Sequence, residues 1–481
     1  MSKQLGEKDV AQVWHQQQQG MGRYQGMVFY LLALCFLTLS CSAWGVSPTA
    51  NPSYVFTGVN VVQLKDGRIS ENQFLQVEGQ RIVAMGAMDN AAQWPESAQI
   101  VDANGWFVMP GLYEMHAHIP PEQAGAQKTQ DTLRLYLANG ITTTRGMLGE
   151  PGHLRLRESL ASGEVLGPRL ITSGPSFNGR SVESTKGAEA MVQAQAEAGY
   201  DFLKLHPGLG PLEYDALVRA ARKHNIAFAG HVSTDVGIPR TLKAGQATID
   251  HLDGYAQELV PPESPLRMRD PGFFGIAIAS AMTADRITAL ARATAKARVW
   301  NVPTQSLMEN ILGSRTVESM LQRPEMVYVD ASTKAQWKRS VESLRSEYAE
   351  ADRLHFLQLR RILIAALQEA DAGLLLGSDA PQIMNVPGFS IHEELALMVR
   401  AGLNEQQALQ MGTMNPAQFL AEQHQHGMIR PGYVADLVFL SKNPLADIDN
   451  TRSIQGVFHQ GQWHNRATLD AWLDEVQSHQ Q

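Results

Sequence analysis

Cysteine is nearly absent from this chain: among 481 residues only Cys35 and Cys41 carry a thiol, and both precede Trp44. Everything downstream therefore lacks disulfides, and neither a cysteine nucleophile nor a cysteine metal ligand is available there. A basic excess is missing too. The net charge is −8, the isoelectric point is about 6.0, and neither half is visibly basic, so the electrostatic footprint of a nucleic-acid binder is absent. No repeat of about 20–50 residues recurs, which excludes a solenoid. Long apolar runs are scarce. The run at 27–40 (MVFYLLALCFLTLS) is too short to cross a hydrocarbon core ~30 Å thick.

That run follows Arg23 and precedes small residues, as in a secretory signal peptide covering 1–43 with Cys41-Ser42-Ala43 as its cleavage site. The Gln-rich stretch before it is long for such a leader, and Met21 offers an alternative start. Two other readings stay open. One is a buried helix of the mature fold. The other is a lipid anchor on Cys41, against which Thr38 stands where a lipidation motif prefers leucine. Export implies a periplasmic or secreted protein; the lipid anchor would tie it to a membrane.

What the chain does contain is a series of polar residues at the ends of short apolar runs. His116 and His118 stand in MPGLYEMHAH, where strand alternation turns residues two apart to the same face. Two such imidazoles can reach one metal ion. DFLKLHP then carries Lys204 and His206, AFAGH carries His231, ATIDHLDGY carries His251, and GLLLGSDAP carries Asp379. Strands alternate with helical patterns such as Tyr214, Leu217, Val218 and Ala221, at i, i+3, i+4 and i+7. Asn404 and Gln407 form a capping-box signature. The expected fold is α/β, a (β/α)8 barrel, whose chemistry sits at the C-terminal ends of its strands.

Lys204 shares a strand face with Phe202 and His206, opposite Leu203 and Leu205. A lysine inside an apolar barrel is costly unless it is paired or modified, and both options stay open. An ammonium cannot ligate a cation, whereas a carbamate can. Its formation requires the neutral amine that nearby divalent ions favour.

These segments, with NGITTTRGM (139–147) and the closing GMIRPGYVADLVFLSKNPLADI, resemble the amidohydrolase superfamily, in particular imidazolonepropionase-related and prolidase-like hydrolases. The resemblance spans about 53–465. It implies a small composite β-sandwich built from 53–110 and 426–465, a hydrolase barrel over 111–425 and a C-terminal tail at 466–481. Lys65-Asp66-Gly67 reads as a hairpin turn in the first part, and Asp436 as structural in the second.

By the same resemblance His116, His118 and Asp379 bind one divalent ion, His231 and His251 bind a second, and Lys204, carboxylated by carbon dioxide, bridges them. Hydroxide between the ions attacks the acyl carbon while Asp379 acts as general base and then acid. Zinc suits these donors; manganese, iron or cobalt fit them as well. His206 either orients substrate or is hydrogen-bonded at a strand end. Tyr255, Arg145 and Arg180 are candidates for binding a substrate carboxylate, and His392 for a helix N-terminal position. Residues 175–187 form an expected active-site loop. The runs at 256–300 and 311–360 read as solvated helix faces, with a lid over the site as a second reading.

The implied activity is hydrolysis of a C–N bond in a small molecule, an amino-acid amide or a dipeptide. Alternatives are a mononuclear cyclic-amide hydrolase, which lacks the bridging lysine, a lactonase or esterase, and a non-catalytic scaffold. Whether the chain assembles into an oligomer is left open.

Overall fold

The computed structural model describes residues 52–480 apart from Ala92. The signal-peptide segment and Cys41 lie outside the described residues. Among them no helix is long and apolar enough to cross a membrane.

The described residues open with strands β1 (Ser53–Gln63), β2 (Arg68–Glu78), β3 (Arg81–Ala87), β4 (Gln99–Asp102) and β5 (Phe107–Pro110). β1 and β2 form an antiparallel hairpin closed at 64–67, where Gly67 takes φ +72, the left-handed conformation glycine adopts most easily. Seven strands then follow around the barrel. They are β6 (Leu112–Ala117), β7 (Ile141–Gly146), β8 (Arg169–Thr172), β9 (Phe202–Leu205), β10 (Ala227–Gly230), β11 (Thr248–Asp250) and β12 (Trp300–Val302). Segment 374–380 is the eighth stave. It pairs in parallel with β12 at Asn301↔Leu374 and with β6 at Ala117↔Ala380. Backbone bonds Leu375 N to Asn301 O (2.9 Å) and Met115 N to Leu376 O (2.8 Å) close the ring. β8 joins β9 through Ser173↔Phe202 and Phe177↔Leu205. Gly377 permits the closure, since a Cβ there would lie 2.8 Å from the backbone nitrogen of His116.

Strand alternation sorts the residues of β9. Leu203 and Leu205 pack outward with Leu217, Phe228 and Val192. Phe202 faces the barrel interior with Met115, Ala227, Ala229 and Val302. Lys204 shares that inward face and is fully buried.

The last strands, β13 (Leu437–Leu440), β14 (Ile454–His459) and β15 (Gln462–Asn465), return to the start of the chain. β13 pairs antiparallel with β5, giving the order β15-β14-β13-β5-β1-β2-β3 with β4 beside β1. This sheet wraps an aromatic core, in which Phe56 lies 4.4 Å from Phe439 and 5.1 Å from Trp463 between ring centroids. The architecture is thus a barrel with a composite β-sandwich. Residues 466–481, expected as a tail, instead hold the helix Arg466–Ser478. It lies along the helix Ala126–Ala138, with Arg134 2.6 Å from Glu475. Its apolar Leu469 and Val476 are fully buried, which is why the segment orders.

The runs at 311–360 are not uniformly solvated faces. Arg353 and Arg360 are buried, because both point inward from the helix Glu350–Glu369 at spacings shared with Phe356, Leu363 and Leu367. At 256–300 the chain forms Tyr255–Leu259, the short 3-10 turns Pro265–Met268 and Phe273–Ala281, and the helix Ile287–Ala297.

Candidate active site

Each polar residue named at a strand end stands at the same end of the barrel. His116 is the penultimate residue of β6 and His118 follows the strand; a register irregularity between Glu114 and Ala117 re-aims this strand end. Glu114, fully buried, accepts from His116 N at 3.1 Å and from Ser378 N and Oγ at 2.8 and 2.6 Å, tying β6 to the eighth stave. His116 Nε2 and His118 Nε2 then converge on Asp379 Oδ1 at 3.4 and 2.8 Å. His116, His118 and Asp379 are the one cluster among the described residues whose ligand atoms lie close enough to hold a metal ion.

His231 and His251 follow β10 and β11, with ring centroids 4.4 Å apart; His251 lies 4.5 Å from His116. His231 Nδ1 is 2.6 Å from Asp253 Oδ2, and His251 Nδ1 is 2.8 Å from Thr304 Oγ1. Engaging Nδ1 leaves Nε2 as each ring's available ligand nitrogen, as in histidines that ligate metals. The backbone is bent at both ends of this arrangement. His251 takes φ +62, Thr304 +46 and Asp379 +64, conformations that cost non-glycine residues on the order of 1–3 kcal/mol and gather at functional sites.

Lys204 Nζ is buried without a hydrogen-bond partner, 4.0 Å from Asp250 Oδ2. Burial brings its amine down to about 8, against the opposing pull of Asp250 and Asp379. Burial also holds His116 and His251 well below the ordinary imidazole value, with Lys204 adding to the effect, and brings His231 to about 3. The rings are thus neutral at pH 7, the state that ligates a metal. Asp379 Oδ1 and His116 Nδ1 also lack a hydrogen-bond partner, although Asp250 Oδ2 lies 2.9 Å from the latter. Buried polar atoms left in this way cost about 1–3 kcal/mol each unless a ligand engages them. The donor set therefore fits bound cations.

His206 also belongs to the site. Its ring stacks on His231 at 4.9 Å and its Nδ1 is buried without a partner, while its backbone N donates to Phe177 O. Loop 175–187 follows β8, with Phe177 fully buried and Arg180 exposed. Two expected substrate ligands lie elsewhere. Tyr255 is buried with its hydroxyl on Thr294 (2.8 Å) and Asn301 (3.1 Å), because the helix it begins turns that side chain away from the mouth into the core. Arg145 is buried within the barrel, donating to Met115 O at 2.7 Å and reaching Asp250 at 3.5 Å between the rings of Phe202 and Phe419. It therefore balances Asp250 beneath the site and does not face substrate. His392 sits in the first turn of the helix Phe389–Arg400, bonded to Thr451.

Sequence reading missed Asp250, Asp253, Thr304 and Arg360. Asp250 is held below the usual carboxylate range although burial opposes this, because Arg145 and Lys204 outweigh it. Arg360 donates to the carbonyls of His251 (2.6 Å) and Pro303 (2.8 Å) and to Gln305 Oε1 (2.9 Å), clamping both bent segments. Glu394 caps the adjoining helix Gln305–Leu312 through the backbone nitrogens of Gln305 and Ser306. Only the acidic residues beside the histidine in IDHLD were a signal visible in sequence.

Comparison with known proteins gives the family and the fold. The amidohydrolase family model matches residues 107–464. A solved structure of a putative prolidase from Bifidobacterium longum is 21% identical, covering 89% of this chain and 99% of its own, with a TM-score of 0.64. A Xaa-Pro dipeptidase with methionine bound in its active site is 18% identical, covering 86% and 100%, with a TM-score of 0.62. Bottromycin amidohydrolase is 21% identical, covering 89% and 90%, with a TM-score of 0.67. No curated protein matches the sequence.

Proposed function

The chain belongs to the amidohydrolase family, and from that premise we propose that it is a metal-dependent hydrolase of the C–N bond in an amino-acid amide or dipeptide. The observation that carries this reading is the convergence of His116 and His118 on Asp379, with the Lys204 amine buried behind them, 4.0 Å from Asp250 and without a hydrogen bond. His116, His118 and Asp379 would hold one divalent ion, His231 and His251 a second, and Lys204, carboxylated by carbon dioxide, would bridge them. Such ions, with zinc suiting the donors, supply positive charge that polarises the scissile carbonyl and acidifies water. Asp379 takes the proton of the attacking water and returns it to the leaving nitrogen. His206 orients substrate from the facing strand end. Arg180, exposed on its loop, is the remaining candidate for a carboxylate contact. The apolar segment 27–40 supports export to the periplasm or beyond.

Amine release by zinc-loaded protein from pooled dipeptides and N-acyl amino acids tests the reading. Release supports it; silence with metal bound overturns it. Metal analysis tests the bridge. Lys204→Ala is expected to lose one metal equivalent with its circular dichroism intact, and unchanged stoichiometry would remove the bridging role. A mononuclear cyclic-amide hydrolase is favoured by one observation, that only His116, His118 and Asp379 cluster tightly among the described residues. One equivalent of metal in the wild type, with lactam cleavage, would establish it.

A further inference from the structure

Between the helices Tyr255–Leu259 and Ile287–Ala297 the chain brings Phe274 to the mouth of the site. Its ring lies 5.2 Å from His251, edge-on, and 6.0 Å from His231, nearly parallel. Phe273 meets it edge-on at 4.6 Å. The segment is firmly seated, since Ile276, Ile278 and Ala279 are almost wholly buried. Phe274 itself is only half-buried. Its backbone stands at φ +52, ψ +17, a left-handed conformation that costs a bulky residue about 1–2 kcal/mol. Gly275 follows at φ +97, where a side chain would strike Ala256.

An aromatic serving only to fill the core needs no such bend and would be buried like the neighbouring Phe356, which is 1% exposed. Here the bend holds an apolar ring beside two imidazoles of the site and leaves that ring only part-buried. Tyr255 and Arg145, the side chains expected to meet a charged substrate group, are engaged in the interior. The ring offers a substrate apolar contact and an aromatic edge or face, and no charge.

We infer that Phe274, backed by Phe273, is a specificity-determining wall that selects substrates with an aromatic or branched aliphatic group next to the scissile C–N bond. This rests on the hydrolase reading and narrows it from amides in general to hydrophobic ones.

The test uses zinc-loaded protein and two matched series. One is N-acyl glycines running from acetyl through isovaleryl to phenylacetyl; the other is N-acetyl amino acids running from glycine through leucine to phenylalanine. In at least one series kcat/KM is expected to rise about tenfold or more toward the largest group. Phe274→Gly, which suits the left-handed backbone, and Phe274→Leu, which keeps apolar bulk, should each reduce that ratio, the glycine variant further. A role confined to packing would shift melting temperature without altering the ratio. A wild-type ratio within about threefold across both series overturns the inference, as does an undiminished ratio in both variants. Silence in both series with metal bound overturns the hydrolase reading itself, and the inference falls with it.

Discussion

Asp379 reaches three imidazoles from one bent residue. It stands at φ +64, its Oδ1 faces His116 and His118, and its Oδ2 lies 3.8 Å from His251. A carboxylate so placed can touch a cation, a water and a leaving group without moving its backbone. Asp379→Asn keeps the shape while removing the proton acceptor. We expect turnover to fall by about 10²–10⁴-fold while a non-hydrolysable substrate analogue still binds, as calorimetry would read. Retained turnover would remove the proton-shuttle role. At this scale the sequence was informative, since each histidine, Lys204 and Asp379 follows a short apolar run whose end is also a strand end. It misled at Arg145 and Tyr255, because residue type alone cannot separate a cation facing substrate from one neutralising a buried aspartate.

Among the elements, the helix Glu350–Glu369 supports the site from outside the barrel. Arg360 uses its guanidinium on two backbone carbonyls and a side-chain oxygen at the ends of β11 and β12. Burial lowers it to about 10, with Asp253 and Glu394 opposing the shift, so it stays charged at neutral pH. Arg360→Met fills comparable volume but leaves those acceptors buried and unpaired. The expected loss is ~2–4 kcal/mol in urea unfolding, with weaker retention of metal during dialysis. Stability and metal content equal to wild type would show that the clamp does not position His251. This support was hidden in the sequence because arginine in a helical run reads as a solvated face. Only its spacing with Phe356 and Leu363 marks the buried stripe.

Across the whole molecule, the two ends of the chain share one sheet, and side chains tie that sheet to the barrel. His392, on a barrel helix, bonds Thr451 beside the sandwich strands. Burial, helped by Arg452 and opposed by a contact with the Asn139 backbone, brings its imidazole from 6.5 to about 3. The folded value lies below the unfolded one, so the neutral ring carries no penalty above pH 6.5. Stability is then lost as pH falls from 6.5 toward 3. His392→Gln cannot titrate, so the wild type should lose about 2 kcal/mol relative to it between pH 7 and pH 5. Parallel denaturation midpoints at the two pH values would refute this.

The sequence by itself determined the barrel and the order of the candidate ligand residues along it, and its motifs carried the resemblance to the family. The barrel and that order follow from local rules, since alternation fixes which side chains face inward and turn residues fix where strands stop. Tertiary structure alone decided where the charged and aromatic side chains point. Arg360 finds His251 across 109 positions of chain, and Arg145 meets Asp250 across 105. Phe274 reaches the histidines only because the core seats its segment in a strained turn. Such partners are chosen by packing between distant elements, where desolvation and hydrogen-bond satisfaction outweigh any preference that a residue carries along its own stretch of chain.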